Sequence, residues 1–380
     1  MNHRERATET FNEVEPELRE ISRWLYENPE LAYEEVESSQ RLAGFLSRHG
    51  FSVTHPAYGL PTAFEATVGS SGPRVVICAE YDALPSVGHA CGHNIIATSS
   101  VGAGVAVAGL ADELGIRVTV LGTPAEEGGG GKIQLLDAGA FEDAAAAMLI
   151  HPSRHDLADP RLLAAQGFTA TFTGKTAHAA ATPHAGLNAL DAFVSAYNSV
   201  STLRQQFEPG DRVHGVIDEG GVAPNVIPEK TVSRWIVRAA TAERFDSLRE
   251  KVVACFEAAA AATGCGLKVE FDWDPYQDLV SHPALVEIFT ESARALGRPV
   301  PTYAETGIET FASSDMGNVS HVVPAIHPSL RIDTEAVNHQ PEFAAATITP
   351  SGEQVIRDGA LAMAHTIIDL ATRDLWDRLT

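Results

Sequence analysis

The sequence contains no apolar run long enough to span a bilayer, so no transmembrane helix is expected. Its first 30 residues are charged throughout (Glu5, Glu9, Glu13, Glu15, Arg19, Glu20) and lack the apolar core of a secretory signal, which makes a cytoplasmic location the expectation. Cysteine is scarce. Cys78, Cys91, Cys255 and Cys265 offer no spacing that suggests a disulfide framework for a chain of 380 residues. Basic residues are also few, 27 Lys and Arg against 50 Asp and Glu, for a net charge of −23. Nucleic acid and anionic membranes bind through Lys and Arg that displace counterions, so neither is expected as a partner. No internal repeat or low-complexity tail is present, and the run Ala258 to Ala262 favours helix. What remains is an ordinary globular composition, 44% hydrophobic and 20% charged, with enough length for one large domain or two.

The chain is organised around Ala79 to Asn94, AEYDALPSVGHACGHN. The β-branched run Val75-Val76-Ile77-Cys78 before it predicts a buried strand that delivers Glu80 and Asp82 to its carboxyl end. A loop carrying Pro and Gly then presents His89, Cys91 and His93 within five positions, ahead of a small-residue helix. Soft and borderline donors at a strand end suit a transition metal. Taken alone, the same residues also describe a buried Cys between surface His residues.

Around this stretch, strand and helix alternate. Helices are predicted over 6–27, 34–48, 95–113 and 131–138, and strands over 63–68, 73–80, 117–122 and 145–150. Pro16 falls inside the first helical pattern and marks a kink or a restart. Alternation of this kind implies an α/β sheet packed between helices. From Gly167 the character changes. A strand over 168–173, a helix over 187–206, strands over 213–219 and 230–239, a helix over 242–263 and a strand over 267–273 follow in β-α-β-β-α-β order, that of a small ferredoxin-like domain. The α/β pattern resumes after about residue 280 and ends in a helix over 351–374. The organisation expected is a catalytic domain of residues 1–166 and 281–380 interrupted by a lid of residues 167–280.

Glu126 and Glu127 end the strand over 117–122, behind Thr123-Pro124-Ala125. Adjacent carboxylates repel, so the pair calls for a cation, and neighbouring side chains at a strand end point different ways. One can ligate a metal while the other faces substrate as a base. The Gly run after them is no phosphate cradle, because Lys132 is not followed by Ser or Thr. His151 ends a third strand, and ligands gather at the carboxyl ends of strands in such sheets. His321, His327 and His339 are three further candidates between which spacing does not choose. In the lid, His178, Asn225 and Arg238 are donor types that suit an oxyanion or a substrate carboxylate. By themselves they read as surface polar residues.

Together these motifs resemble the aminoacylase and carboxypeptidase family of metal-dependent peptidases, in particular the amidohydrolase branch holding aminobenzoyl-glutamate hydrolase, the auxin-conjugate amidohydrolases and β-alanyl-lysine dipeptidase. The shared pieces are Asp82-Ala83-Leu84-Pro85, His89 to Asn94, Gly122 to Glu127, Gly174 to His178, and Ser313-Ser314-Asp315-Met316-Gly317, in family order over nearly the whole chain. The resemblance implies a discontinuous α/β metallopeptidase (phosphorylase/hydrolase-like) domain with an inserted ferredoxin-like lid that forms a homodimer. It implies two divalent ions, Zn or Mn, on Cys91, His93, Glu127, His151 and His339. It makes Glu126 the general base, with Asp82 orienting the site. It has His178 reaching the partner subunit's active site as an oxyanion donor, and Asn225 and Arg238 contacting substrate. Two positions depart from the pattern. Glu80 stands where many relatives carry a His ligand, and Asn94 stands where auxin-type members carry Asp, which points toward the aminobenzoyl-glutamate and β-alanyl-lysine side of the branch. The activity implied is hydrolysis of an N-acyl amino acid, dipeptide or aminobenzoyl-glutamate-like amide. The alternatives are an aromatic aminohydrolase or deaminase on the same site, or a non-catalytic binding protein of the same fold.

Overall fold

A computed structural model describes residues 1–379. By contact density these divide into two units, the first comprising Met1–Arg161, Leu279–Thr310 and the stretch from Ser314 onward, the second Leu162–Asp278 with Phe311–Ser313.

The first unit opens with α1 (His3–Glu27), α2 (Val36–Arg48), β1 (Ser52–Thr54), β2 (Phe64–Val68), β3 (Arg74–Ala79), α3 (His93–Ala108), α4 (Ala111–Leu114), β4 (Arg117–Gly122), α5 (Gly131–Asp137), β5 (Ala144–Met148) and β6 (His151–Ser153). Helix α1 runs continuously through Pro16, so the helix does not restart there. The proline lies on the exposed side, while Phe11, Val14, Leu18, Ile21 and Leu25 are buried along the other. Burial of that stripe outweighs the one backbone hydrogen bond a proline removes. Asn2 and Glu5 close the amino end in a reciprocal capping box.

The second unit follows with β7 (Ala164–Thr173), α6 (Ala189–Leu203), β8 (Arg212–Glu219), β9 (Lys230–Ala239), α7 (Ala242–Thr263) and β10 (Gly266–Phe271). Its four-stranded antiparallel sheet has the order β10-β7-β9-β8. Phe168, Phe172, Trp235 and Phe256 form its core with the Ala face of α6, Ala189, Ala192 and Ala196. Thr241 caps α7, and Gly264 ends it at φ +73°, the left-handed turn that glycine takes most easily.

The first unit then resumes with α8 (Pro283–Ala295), α9 (Tyr303–Thr306), α10 (Met316–Ser320), β11 (Ala325–Ile326), β12 (Ser329–Arg331), α11 (Pro341–Ala346) and α12 (Pro350–Thr372). Its six-stranded sheet runs β1-β2-β4-β3-β5-β11. Strands β4, β3, β5 and β11 are parallel, so the loops leaving them emerge on one edge. Every residue of β3 is buried, as a central parallel strand requires. Helix α3 is apolar and small on all sides because α1, α12 and the sheet all pack against it. Gly102 and Gly104 permit that approach: a Cβ at Gly102 would lie 2.9 Å from Leu18, and one at Gly104 would lie 2.4 Å from Val120. The architecture is therefore mixed α/β with an inserted α+β unit.

Candidate metal centre

The parallel strands β4, β3 and β5 lie side by side; Glu126 and Glu127 follow β4, Glu80 and Asp82 follow β3, and beyond β5 His151 opens the separate strand β6 rather than ending β5 as expected. A fourth element closes the set. Cys91 and His93 stand on the turn that opens α3, either side of Gly92 at φ +85°. A Cβ at Gly92 would sit 2.4 Å from Cγ of Pro152, the residue after His151. Only glycine lets these two loops close against each other.

Donor atoms of Cys91, His93 and His151 lie within 4.8 Å of one another, and so do those of Cys91, Glu127 and His339. Cys91 belongs to both groups. A third group joins His93, Glu126 and Glu127. Nε2 of His151 is 3.4 Å from Sγ of Cys91, and Nε2 of His339 is 3.5 Å from Oε1 of Glu127. The histidine orientations are fixed from behind. Oδ1 of Asp82 is 2.9 Å from Nδ1 of His93, and Nδ1 of His151 donates to the Pro152 carbonyl at 2.8 Å. In both rings Nε2 therefore faces the cluster. The other oxygen of Asp82 accepts the Glu127 N–H at 2.9 Å, so a single carboxylate orients two arms of the site. Asn338 donates to the carbonyls of Cys91 and Pro152, both at 3.3 Å, and the His339 N–H donates to Ala90 at 2.8 Å.

The electrostatics fit a divalent metal. Nε2 of His93 is buried without a hydrogen-bond partner, yet it sits 3.6–3.8 Å from oxygens of Glu80, Glu126 and Glu127. Burial and the charges of Glu80 and Glu127 push the Glu126 carboxyl well above its ordinary range. Burial and Glu127 likewise push up the Cys91 thiol. A cation among these groups reverses both shifts, giving a thiolate and an ionised carboxylate. Sulfur, imidazole and carboxylate together are the donor set of borderline transition metals.

Of the three C-terminal histidines, His339 is the one beside Cys91 and Glu127. His327 is buried and stacks on His151 at 5.3 Å; burial, then the neighbouring His151, lowers it to about 3. His321 is exposed at the end of α10. Asn94 stands outside the cluster and donates to the hydroxyls of Ser22 and Thr347, both at 3.0 Å, tying α3 to α1 and to the end of α11. In the second unit, the exposed His178 bridges to Val226 beside Asn225, while Arg238 donates to Ser313 at 2.7 Å. The antiparallel pairing runs from Ala165 and Arg238 to His178 and Val226, on the order of 30–40 Å at strand rise. His178 and Asn225 thus lie together at one end of this unit, with Arg238 at the other.

One buried cation escaped the sequence reading. Lys132 is fully buried, with Nζ 2.6 Å from both Glu80 and Asp315, and its N–H donates to Asp315 at 2.8 Å. Burial opposes the charge of Glu80, but Lys132 holds its carboxyl down at about 2. The acidic group of Glu80, Glu126 and Asp315 thus already has an ammonium partner from the protein itself.

Comparison with known proteins accords with this geometry. Residues 164–264 match the model of the peptidase dimerisation domain. Xaa-Arg dipeptidase of Mus musculus is 39% identical over 379 residues, covering 96% of this chain and 88% of that protein. The chain belongs to the M20 family. In this family it is also similar to one of the subunits of the p-aminobenzoyl-glutamate hydrolase of Escherichia coli, 31% identical over 67% of this chain and 57% of that one. Among solved structures, the Bacillus subtilis YXEP protein, a dinuclear metal-binding peptidase of the M20 family, superposes with a TM-score of 0.72 at 21% identity, covering 94% of this chain and 99% of that chain. As an M20 protein the chain is a metal-dependent hydrolase of C–N amide bonds. Among the described residues no helix is long and apolar enough to cross a membrane.

Proposed function

We propose that this M20 protein is a dipeptidase that removes a basic C-terminal residue, working as a cytoplasmic homodimer with two zinc or manganese ions. The observation that carries the reading is the overlap of three donor groups, Cys91 with His93 and His151, Cys91 with Glu127 and His339, and His93 with Glu126 and Glu127. The substrate preference rests on the Xaa-Arg dipeptidase relative and on a net charge of −23, whose field favours cationic substrates.

In this reading the five donors hold the ions, which when bound supply an activated water and a polarised amide carbonyl. Glu126 takes the water proton and passes it to the leaving amine. Asp82 keeps His93 oriented through Nδ1 and Glu127 through its N–H. Nδ1 of His178 accepts the N–H groups of Ala180 and Ala181, which leaves its proton on Nε2, free to donate to an oxyanion. Asn225 and Arg238 bind substrate. Because His178 and Arg238 lie at opposite ends of one sheet, a site that uses both draws them from two subunits.

The test is a panel of Xaa-Arg, Xaa-Lys and Xaa-Glu dipeptides and N-acyl amino acids, assayed with added Zn or Mn. The expected kcat/KM for Xaa-Arg exceeds that for Xaa-Glu by about tenfold or more, a pocket-level discrimination. Amino acid is released without ammonia. Release of ammonia instead would favour a deaminase and refute the reading.

A further inference from the structure

One buried carboxylate near the centre has no part in the mechanism above. Glu35 is 0% exposed and stands at the N-cap position of α2, yet its side chain makes no cap to its own helix. It turns instead toward the loop after β4. Oε1 accepts the N–H of Ala125 at 2.8 Å, and Oε2 accepts the hydroxyl of Thr62 at 2.8 Å. Burial, then the charge of Asp82, pushes its carboxyl up to about 7, so this position carries an electrostatic penalty that an apolar residue would avoid.

Ala125 has φ +58°, the left-handed region that costs a non-glycine residue about 1–2 kcal/mol. That conformation leads into the turn over 126–129, from which Glu126 and Glu127 each place a carboxylate oxygen 3.8 Å from Nε2 of His93. Two acceptors from outside hold the turn, Glu35 on the Ala125 N–H and Asp82 on the Glu127 N–H at 2.9 Å. The segment leading to Glu35 is fastened to the same region. The Glu30 carbonyl accepts the Ala83 N–H at 2.8 Å, Leu31 bridges to Ala83, and the Tyr33 hydroxyl donates to the Gly129 carbonyl at 2.6 Å. Residues 30–35 thus strap together the loop after β3 and the loop after β4.

We propose that Glu35 is a positioning residue for hydrolysis: by accepting the Ala125 N–H it holds the left-handed turn that aims Glu126 at substrate and Glu127 at metal. The proposal rests on Glu126 being the base, as read above. Without the acceptor, Ala125 relaxes toward right-handed backbone and Glu126 swings away from its working position, where misplacement on the order of 1 Å costs about 10²-fold in rate.

The test compares wild type, E35Q, E35A, A125G and the double variant E35A/A125G, reading kcat and KM on an Xaa-Arg dipeptide together with metal content and melting temperature. E35A is expected to lose about 10- to 100-fold in kcat, with KM within about threefold. E35Q keeps at least about a third of kcat, because its amide oxygen still accepts from Ala125 while its NH2 donates to Thr62. Glycine takes the left-handed turn without penalty, so A125G restores about fivefold or more of what E35A loses. Loss by packing alone would not be recovered by that second change. If E35A fails to fold, E35D and E35D/A125G carry the same comparison, since the shorter carboxylate cannot reach both partners. Wild-type kcat in E35A, equal damage in E35Q and E35A, or no recovery by A125G would each overturn the proposal. An active Glu126→Gln variant would instead remove the base assignment on which it stands, and so separates the two failures.

Discussion

Glu126→Gln is expected to lower kcat about 10³-fold while metal content stays at the wild-type level. The substitution is nearly isosteric and removes only the ability to take a proton. Glu126 is 7% exposed, and its Oε2 lies 3.8 Å from Nε2 of His93, close to the donors but outside the two groups that share Cys91. The near-isosteric amide keeps the packing of a buried side chain, so the variant should melt close to wild type. KM should move little, since a proton-transfer group acts in the transition state rather than in binding. Steady-state kinetics with mass-spectrometric metal analysis checks all three parts. Wild-type turnover in this variant would end the base assignment.

The second large effect is expected from Cys91→Ala. Its sulfur is common to the group with His93 and His151 and the group with Glu127 and His339, so its removal strips a donor from both sides of the centre. Metal content should fall below one ion per chain and hydrolysis should drop by about 10³-fold or more. Stability should fall as well. A ligand present at 100 times its Kd adds about 2.7 kcal/mol to the folded state, and that contribution disappears with the ion. Glu126 and Glu127 are then left close together without a metal ion. A melting curve taken with and without added Zn separates the causes: wild type should shift upward with metal and the variant should not. A variant that keeps full metal content would show that the sulfur points at no ion.

Much of the frame was legible in the sequence because it follows local rules. The β-branched run before Glu80, the strand over 117–122 and the Ala-rich helix over 242–263 announced themselves by composition. The β-α-β-β-α-β order marked out the inserted unit. A candidate centre could be proposed from the sequence because strand ends concentrate ligands and because the motifs resembled a known family. Three features were not. The burial of Lys132 depends on Asp315, 183 residues away, and nothing in a Gly-Lys-Ile stretch distinguishes a buried ammonium from a solvated one. Spacing did not separate His339 from His321 and His327, and only the resemblance named it, because its place beside Cys91 depends on Asn338 folding back onto the Cys91 turn, another long-range contact. Glu35 sits among the ordinary acidic residues before a helix, and its direction is set by a backbone N–H ninety residues on. Pro16 failed as a helix breaker for the same kind of reason, since tertiary burial of one face outweighed a local signal.

The account depends on divalent ions held by loops from four places in the chain. The most direct measurement is the hydrolysis rate of an Xaa-Arg dipeptide as Zn or Mn is titrated into chelator-stripped protein. The account predicts no turnover in the stripped protein, then a rise that saturates at about two equivalents per chain. Full turnover by stripped protein, or ions that bind without restoring it, would contradict the account.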